Sequence, residues 1–185
     1  MQVRLSGFGQ RMNDKTNAQT LGKHEIVDSL DQEFARLHSR SCTIIESTPV
    51  DILYAGAEPG RDPGRYPAGS VGESVLRSAA AIEQTFGGIT ANLWDDPFEW
   101  TLPEYLSTPV KVIEHLEEVE TTRSTAFSSF SDDSCLLKRV ATPSEETPPL
   151  IELLLETLVR ATHFQSQAVV TLKILSGIST PGFII

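Results

Sequence analysis

The side chains with the most chemistry to offer fall on one stretch near the C-terminus. Arg160, Phe164, Gln167 and Thr171 recur at three- and four-residue steps, so on a helix they share one stripe. A guanidinium on such a stripe is a planar, permanently charged fork suited to bidentate capture of a carboxylate or phosphate. His163 sits beside the stripe, where a lone helical histidine is expected to be hydrogen-bonded structure or surface. His115 follows Glu114 and adjoins an apolar residue, Leu116, which suits a solvated or capping role. His24 and His38 lie among charged neighbours and read as surface. Cys42 and Cys135 would be nucleophiles only beside a base. Neither is read as having a histidine within reach, so both are expected to be inert free thiols. Arg61 and Arg65 fall in a Gly/Pro-rich stretch and read as solvated. The chain has neither the Gly-x-Ser-x-Gly turn of a serine hydrolase nor the Gly-x-x-x-x-Gly-Lys of a phosphate loop.

Composition narrows the partners. A chain of 185 residues is the size of one domain with its own core. The net charge of −10, without any Lys/Arg stripe, argues against nucleic acid, whose phosphates need a basic footprint. No apolar run approaches the roughly 20 residues that span a bilayer. Residues 1–21 are polar, lack a secretory core and read as a flexible N-terminal tail, with Met12 an alternative start. Two cysteines make no disulfide framework, which fits a reducing, cytoplasmic setting.

Residues 22–185 must position the candidate side chains, and their pattern is helical. Ile26, Leu30, Phe34, Leu37, Ser41 and Ile44 mark a first amphipathic helix, closed by Pro49. A Gly/Pro loop runs from Gly56 to Ser70. Ser70, with Glu73 three residues on, has the form of a capping box for a second helix bearing Val71, Val75, Ala79, Ile82 and Phe86. Gly87-Gly88 is expected to end or break it. An aromatic connection containing Trp94, Phe98 and Trp100 is expected to fold over the bundle and bury its rings. Thr108-Pro109 opens a third helix with Val112, Ile113, Leu116, Val119, Ala126, Phe127 and Phe130 along its stripe. Asp132 to Val140 suggests a short further turn. Thr147-Pro148-Pro149 launches a fourth helix that ends at Gly177, with a stripe of Leu154, Leu158, Ala161, Ala168, Leu172 and Leu175. Four such helices and no strand predict an all-α four-helix bundle with long connections.

Three segments carry a family resemblance. Ser70 to Gln84, Val112 to Val119, and Arg160 to Gln167 with its continuation to Gly177 resemble the second, third and fourth helices of the DinB-like four-helix-bundle family. The resemblance implies a divalent metal, such as zinc or nickel, held by one histidine of the second helix and two of the fourth. It also implies relatives that transfer low-molecular-weight thiols or isomerise small substrates. The three ligand positions fall here on Arg77, Arg160 and Phe164, none of which offers a lone pair to a metal. A slip of one residue would put His163 at a ligand position without a partner. The chain therefore resembles a divergent member with a degenerate metal site. The expected function is a metal-free small-ligand-binding or structural bundle, with Arg77, Arg160, Phe164, Gln167 and His163 around an anionic molecule. An internal salt bridge from the arginines to Glu73, Glu83, Glu118 or Asp95-Asp96 would serve the structural version. The alternative is a thiol S-transferase or isomerase-type enzyme with an altered site. A homodimer packed through a helix face is a further expectation.

Overall fold

The computed structural model describes residues 24–56, 69–101, 104–144 and 146–178. The tail, Arg61, Arg65 and most of the Gly/Pro loop lie outside the described residues. Among the described residues four α-helices carry the fold: α1 (Glu25–Glu46), α2 (Val71–Ala91), α3 (Pro109–Ser128) and α4 (Leu150–Ser176). Two 3-10 turns, Pro97–Trp100 and Asp133–Leu137, sit in the connections. No strand occurs among the described residues; the one pairing outside the helices is an isolated bridge between Arg139 and Pro149. Among the described residues no helix is long and apolar enough to cross a membrane.

The cross-helix bonds fix the direction of each helix. Ser78 meets Ala161 and Thr85 meets Thr157, so α2 and α4 are antiparallel. Arg123 meets Asp31, while Asp133, just beyond α3, reaches the start of α1, so α1 and α3 are also antiparallel. Phe34, Phe86 and Phe127 cluster with ring centroids 5.2 to 5.7 Å apart, which sets the C-terminal ends of α2 and α3 at one level. The result is an up-down-down-up bundle. Going from α2 to α3 then requires a connection that travels back along the bundle, which explains its length.

Local chemistry explains most helix ends. Ser70 Oγ accepts from the Glu73 amide at 3.2 Å, and the Glu73 carboxylate reaches back to the Gly69 amide rather than to Ser70 itself. Thr108 caps α3, and Gly177 ends α4 with φ +71°. His24 offers α1 no side-chain cap. Instead the Asp133 carboxylate accepts from the Ile26 and Val27 amides at 3.2 and 3.0 Å, a cap delivered across 107 residues.

Four sequence expectations change. Gly87-Gly88 neither ends nor breaks α2, which continues to Ala91 and stops at Asn92 in the left-handed conformation. Gly88 serves close approach: a Cβ there would stand 2.4 Å from the Trp94 ring. The aromatic connection is only partly covered, with Trp94 half-buried and Trp100 76% exposed. On α1 the buried stripe begins at Val27, while Ile26 faces solvent. On α4 Leu175 is exposed, and the core face takes in Thr157 and Gln165 instead. That helix also leaves an outward stripe of Leu155, Val159, Val170 and Ile174 exposed, the kind of face on which the homodimer expectation rests.

Two buried polar groups hold the helices in register. Gln165, fully buried, donates to the Leu37 carbonyl at 2.6 Å and to Ser41 Oγ at 2.8 Å, tying α4 to α1. Arg123, only 3% exposed, donates to both Glu120 oxygens at 2.8 and 2.6 Å and pairs with Asp31 across the α1–α3 seam. A charge buried this deeply is tolerable only while both carboxylates remain. Changing Asp31→Ala and Glu120→Ala together should therefore cost about 3–5 kcal/mol in urea unfolding. Adding Arg123→Leu should recover much of that loss. A double variant within about 1 kcal/mol of the parent would contradict the assignment.

Candidate functional site

The α2–α4 seam is built from small side chains. Ser74, Ser78, Ala81 and Thr85 of α2 and Thr157, Ala161 and Ala168 of α4 are all buried. Three of the hydroxyls bond across the seam: Ser78 Oγ donates to the Ala161 carbonyl at 3.0 Å, and Thr85 and Thr157 meet at 2.6 Å. Larger residues flank this strip, and they are the ones the sequence singles out.

Arg77, Arg160 and Phe164 line one pocket of about 90 Å³, together with Gln84, Asp96 and Phe98. A shallower groove of about 550 Å³ adjoins it, sharing Arg77 and Phe164 and adding Glu73, His163, Gln167 and Thr171. The five expected site residues are thus divided between two adjoining cavities, with Arg77 and Phe164 common to both, Arg160 in the pocket, and His163 and Gln167 in the groove. They are not in a dry interior: Arg160, His163 and Gln167 are exposed, and Arg77 and Phe164 are half-buried.

Each arginine is held differently. Arg77 Nε donates to Glu73 Oε1 at 2.9 Å, one turn earlier on α2. Its guanidinium lies over the Phe98 ring, 4.1 Å from the centroid, because the α2–α3 connection passes there. Arg160 Nη2 donates to the Ala81 carbonyl at 3.2 Å and to Gln84 Oε1 at 2.9 Å, both neutral acceptors. Among the described residues no carboxylate lies within ion-pair distance of Arg160. Of the carboxylates expected to face the arginines, Glu73 does so and Asp96 lines the same pocket while capping the Phe98 amide. Glu83 does not; it points to α3, with Oε2 4.0 Å from His115 Nε2. Burial holds its carboxyl above the usual range, His115 offsets part of this, and Glu118 adds to it. His163 Nε2 and Gln167 Nε2 meet at 3.0 Å along α4.

The divalent metal implied by the resemblance does not fit these side chains. Arg77, Arg160 and Phe164 do share one pocket, as three ligands of one ion would. Two protonated guanidiniums and a phenyl ring nevertheless supply no donor pair.

A second cluster was not anticipated, and it corrects the reading of the thiols. His38 lies one helical turn before Cys42, and its Nε2 is 3.7 Å from Cys42 Sγ. Glu117 of α3 reaches the same nitrogen at 3.4 Å. The spacing of four was visible in the sequence; the carboxylate from another helix was not. Burial, then Glu117, Glu46 and Glu120, push the Cys42 thiol up to about 11. Cys135 is raised as well, chiefly by burial. Neither is a thiolate at neutral pH, so neither is a ready nucleophile despite the neighbouring imidazole.

No family model matches the chain, and no curated protein matches it.

Cys42 alkylation by iodoacetamide, in a Cys135→Ala background with chelator present, should have its pH midpoint near 11. The folded state keeps this proton more tightly than the unfolded one, so stability should fall as pH rises from 9 towards 11. A midpoint at the ordinary thiol value would contradict the burial and carboxylate field described for Cys42.

Proposed function

We propose that the α2–α4 groove binds a small molecule ending in a carboxylate or phosphate. We further propose that the chain is a DinB-like bundle in which arginines occupy metal-ligand positions. The carrying observation is Arg160, whose guanidinium lines the small pocket and, among the described residues, donates to neutral acceptors only. Arg77 stands opposite it, fixed by Glu73 and Phe98. A pocket of about 90 Å³ has room for an oxyanion end group of a few heavy atoms. The body of the ligand would extend along the adjoining groove past Phe164, His163 and Gln167. The structural alternative, an internal salt bridge, is met by Arg77 with Glu73 but leaves Arg160 unexplained. A transferase or isomerase reading would use His163 as the proton-moving group beside the bound anion.

Titration calorimetry with phosphate and with short dicarboxylates should detect saturable binding to the parent chain. Arg160→Leu should weaken it about tenfold or more while changing stability by less than about 1 kcal/mol, because the residue is exposed. Equal affinity in the variant would remove the proposal. The residue correspondence has its own test. Arg77→His, Arg160→His and Phe164→His introduced together should create a site that binds zinc or nickel one to one, and failure to bind would count against the DinB-like match.

A further inference from the structure

The seam on the other side of the bundle, between α1 and α3, carries donors of a different kind. His38 and Cys42 are i and i+4 on α1, so both side chains rise from one face a turn apart. Glu117 enters from α3, which Arg123 and its two carboxylates pin against α1 in register. One ligand atom from each of the three residues lies within 4.8 Å of the other two.

We propose that His38, Cys42 and Glu117 form a divalent-cation site of zinc type on the α1–α3 seam. The geometry is close to that of ligands around one ion. Zinc bonds of about 2.1 Å to nitrogen or oxygen and about 2.3 Å to sulfur, at tetrahedral angles, place donors ~3.4 Å (N to O) and ~3.6 Å (N to S) apart. The corresponding separations here are 3.4 Å for His38 Nε2 to Glu117 Oε1 and 3.7 Å for His38 Nε2 to Cys42 Sγ. The imidazole and thiol select zinc, cobalt or nickel over magnesium and calcium, which prefer oxygen.

The surroundings favour a cation. Glu46 lies one turn beyond Cys42 and Glu120 one turn beyond Glu117, and both carboxylates act on the thiol. Glu120 is shared with Arg123, so its negative charge is partly neutralised. Glu117 is 62% exposed at its side chain while His38 is 17% exposed, so the cluster opens to solvent on the carboxylate side. Three protein ligands leave the fourth tetrahedral position to water, the pattern of a catalytic rather than a closed structural zinc site. Binding breaks the Cys42 S–H bond, releases that proton to solvent and directs the sulfur lone pair to the metal, with no change in oxidation state. The site is independent of the α2–α4 groove and of any anion bound there.

Cobalt(II) titrated into the full reduced chain supplies the test. The expected result is a near-ultraviolet sulfur-to-cobalt charge-transfer band with the strong visible bands of a tetrahedral ion, both erased by added zinc. Cys42→Ser should abolish the charge-transfer band and Cys135→Ser should leave it intact, with far-UV circular dichroism confirming that both variants fold. Loss of an outer-sphere partner alone weakens metal sites 10–100-fold, so His38→Ala and Glu117→Gln should each weaken zinc binding by at least about tenfold. Absence of a charge-transfer band would overturn the proposal and leave a His38–Glu117 ion pair beside a bystander thiol. A band that survives Cys42→Ser, or disappears with Cys135→Ser, would overturn it equally.

Discussion

The candidate groove of this bundle depends on the small side chains buried between α2 and α4. Serine, alanine and threonine line their contact, and the Ser78, Thr85 and Thr157 hydroxyls spend their hydrogen bonds on the opposite helix or on their own preceding turn. Small side chains bring two backbones together, and satisfied hydroxyls remove the cost of burying polar atoms. Long residues cannot enter such a seam, so Arg77, Phe164 and Arg160 are left at its edge. There they face one another across a narrow cleft. The α2–α3 connection must return along the bundle, and its Asp96 and Phe98 complete the small pocket.

The opposite seam is organised by charge. Arg123 sits on the apolar stripe of α3 between Val119 and Phe127, where a hydrophobic residue would ordinarily pack. Its two carboxylates allow it to stay buried and lock α3 to α1. That lock sets Glu117 beside His38 and Cys42. One seam thus sets Arg77 and Arg160 beside Glu73 and Asp96, while the other gathers a thiol, an imidazole and carboxylates.

Helix order, the caps at Ser70, Thr108 and Gly177, and most of the core were legible because they depend on local period and local hydrogen bonds. The shared stripe of Arg160, Phe164 and Gln167 on α4 was legible from residue spacing, whereas the two adjoining cavities that divide them with Arg77 and His163 depend on how α2 packs against α4. What escaped was non-local. Asp133 caps α1 from beyond α3, and no window of sequence around either residue contains that relation. Gly87-Gly88 looks like a stop signal until Trp94 is seen lying on it. Arg123 and Gln165 break the rule that core positions are apolar, and each has a partner on α1. The His38–Cys42 spacing was present in the sequence, but it gains meaning only when Glu117 arrives from another helix.

The central claim is that Arg77 and Arg160 act together on one oxyanion. Nitrogen-15 spectra of the arginine side chains, recorded during titration with a short dicarboxylate, test it most directly. The account predicts that the Arg77 and Arg160 Nε–H signals shift together along one binding curve, while that of Arg123, committed to Glu120 and Asp31, stays in place. Signals of Arg77 and Arg160 that remain fixed at saturating ligand, or that move no more than those of the other arginines, would contradict it.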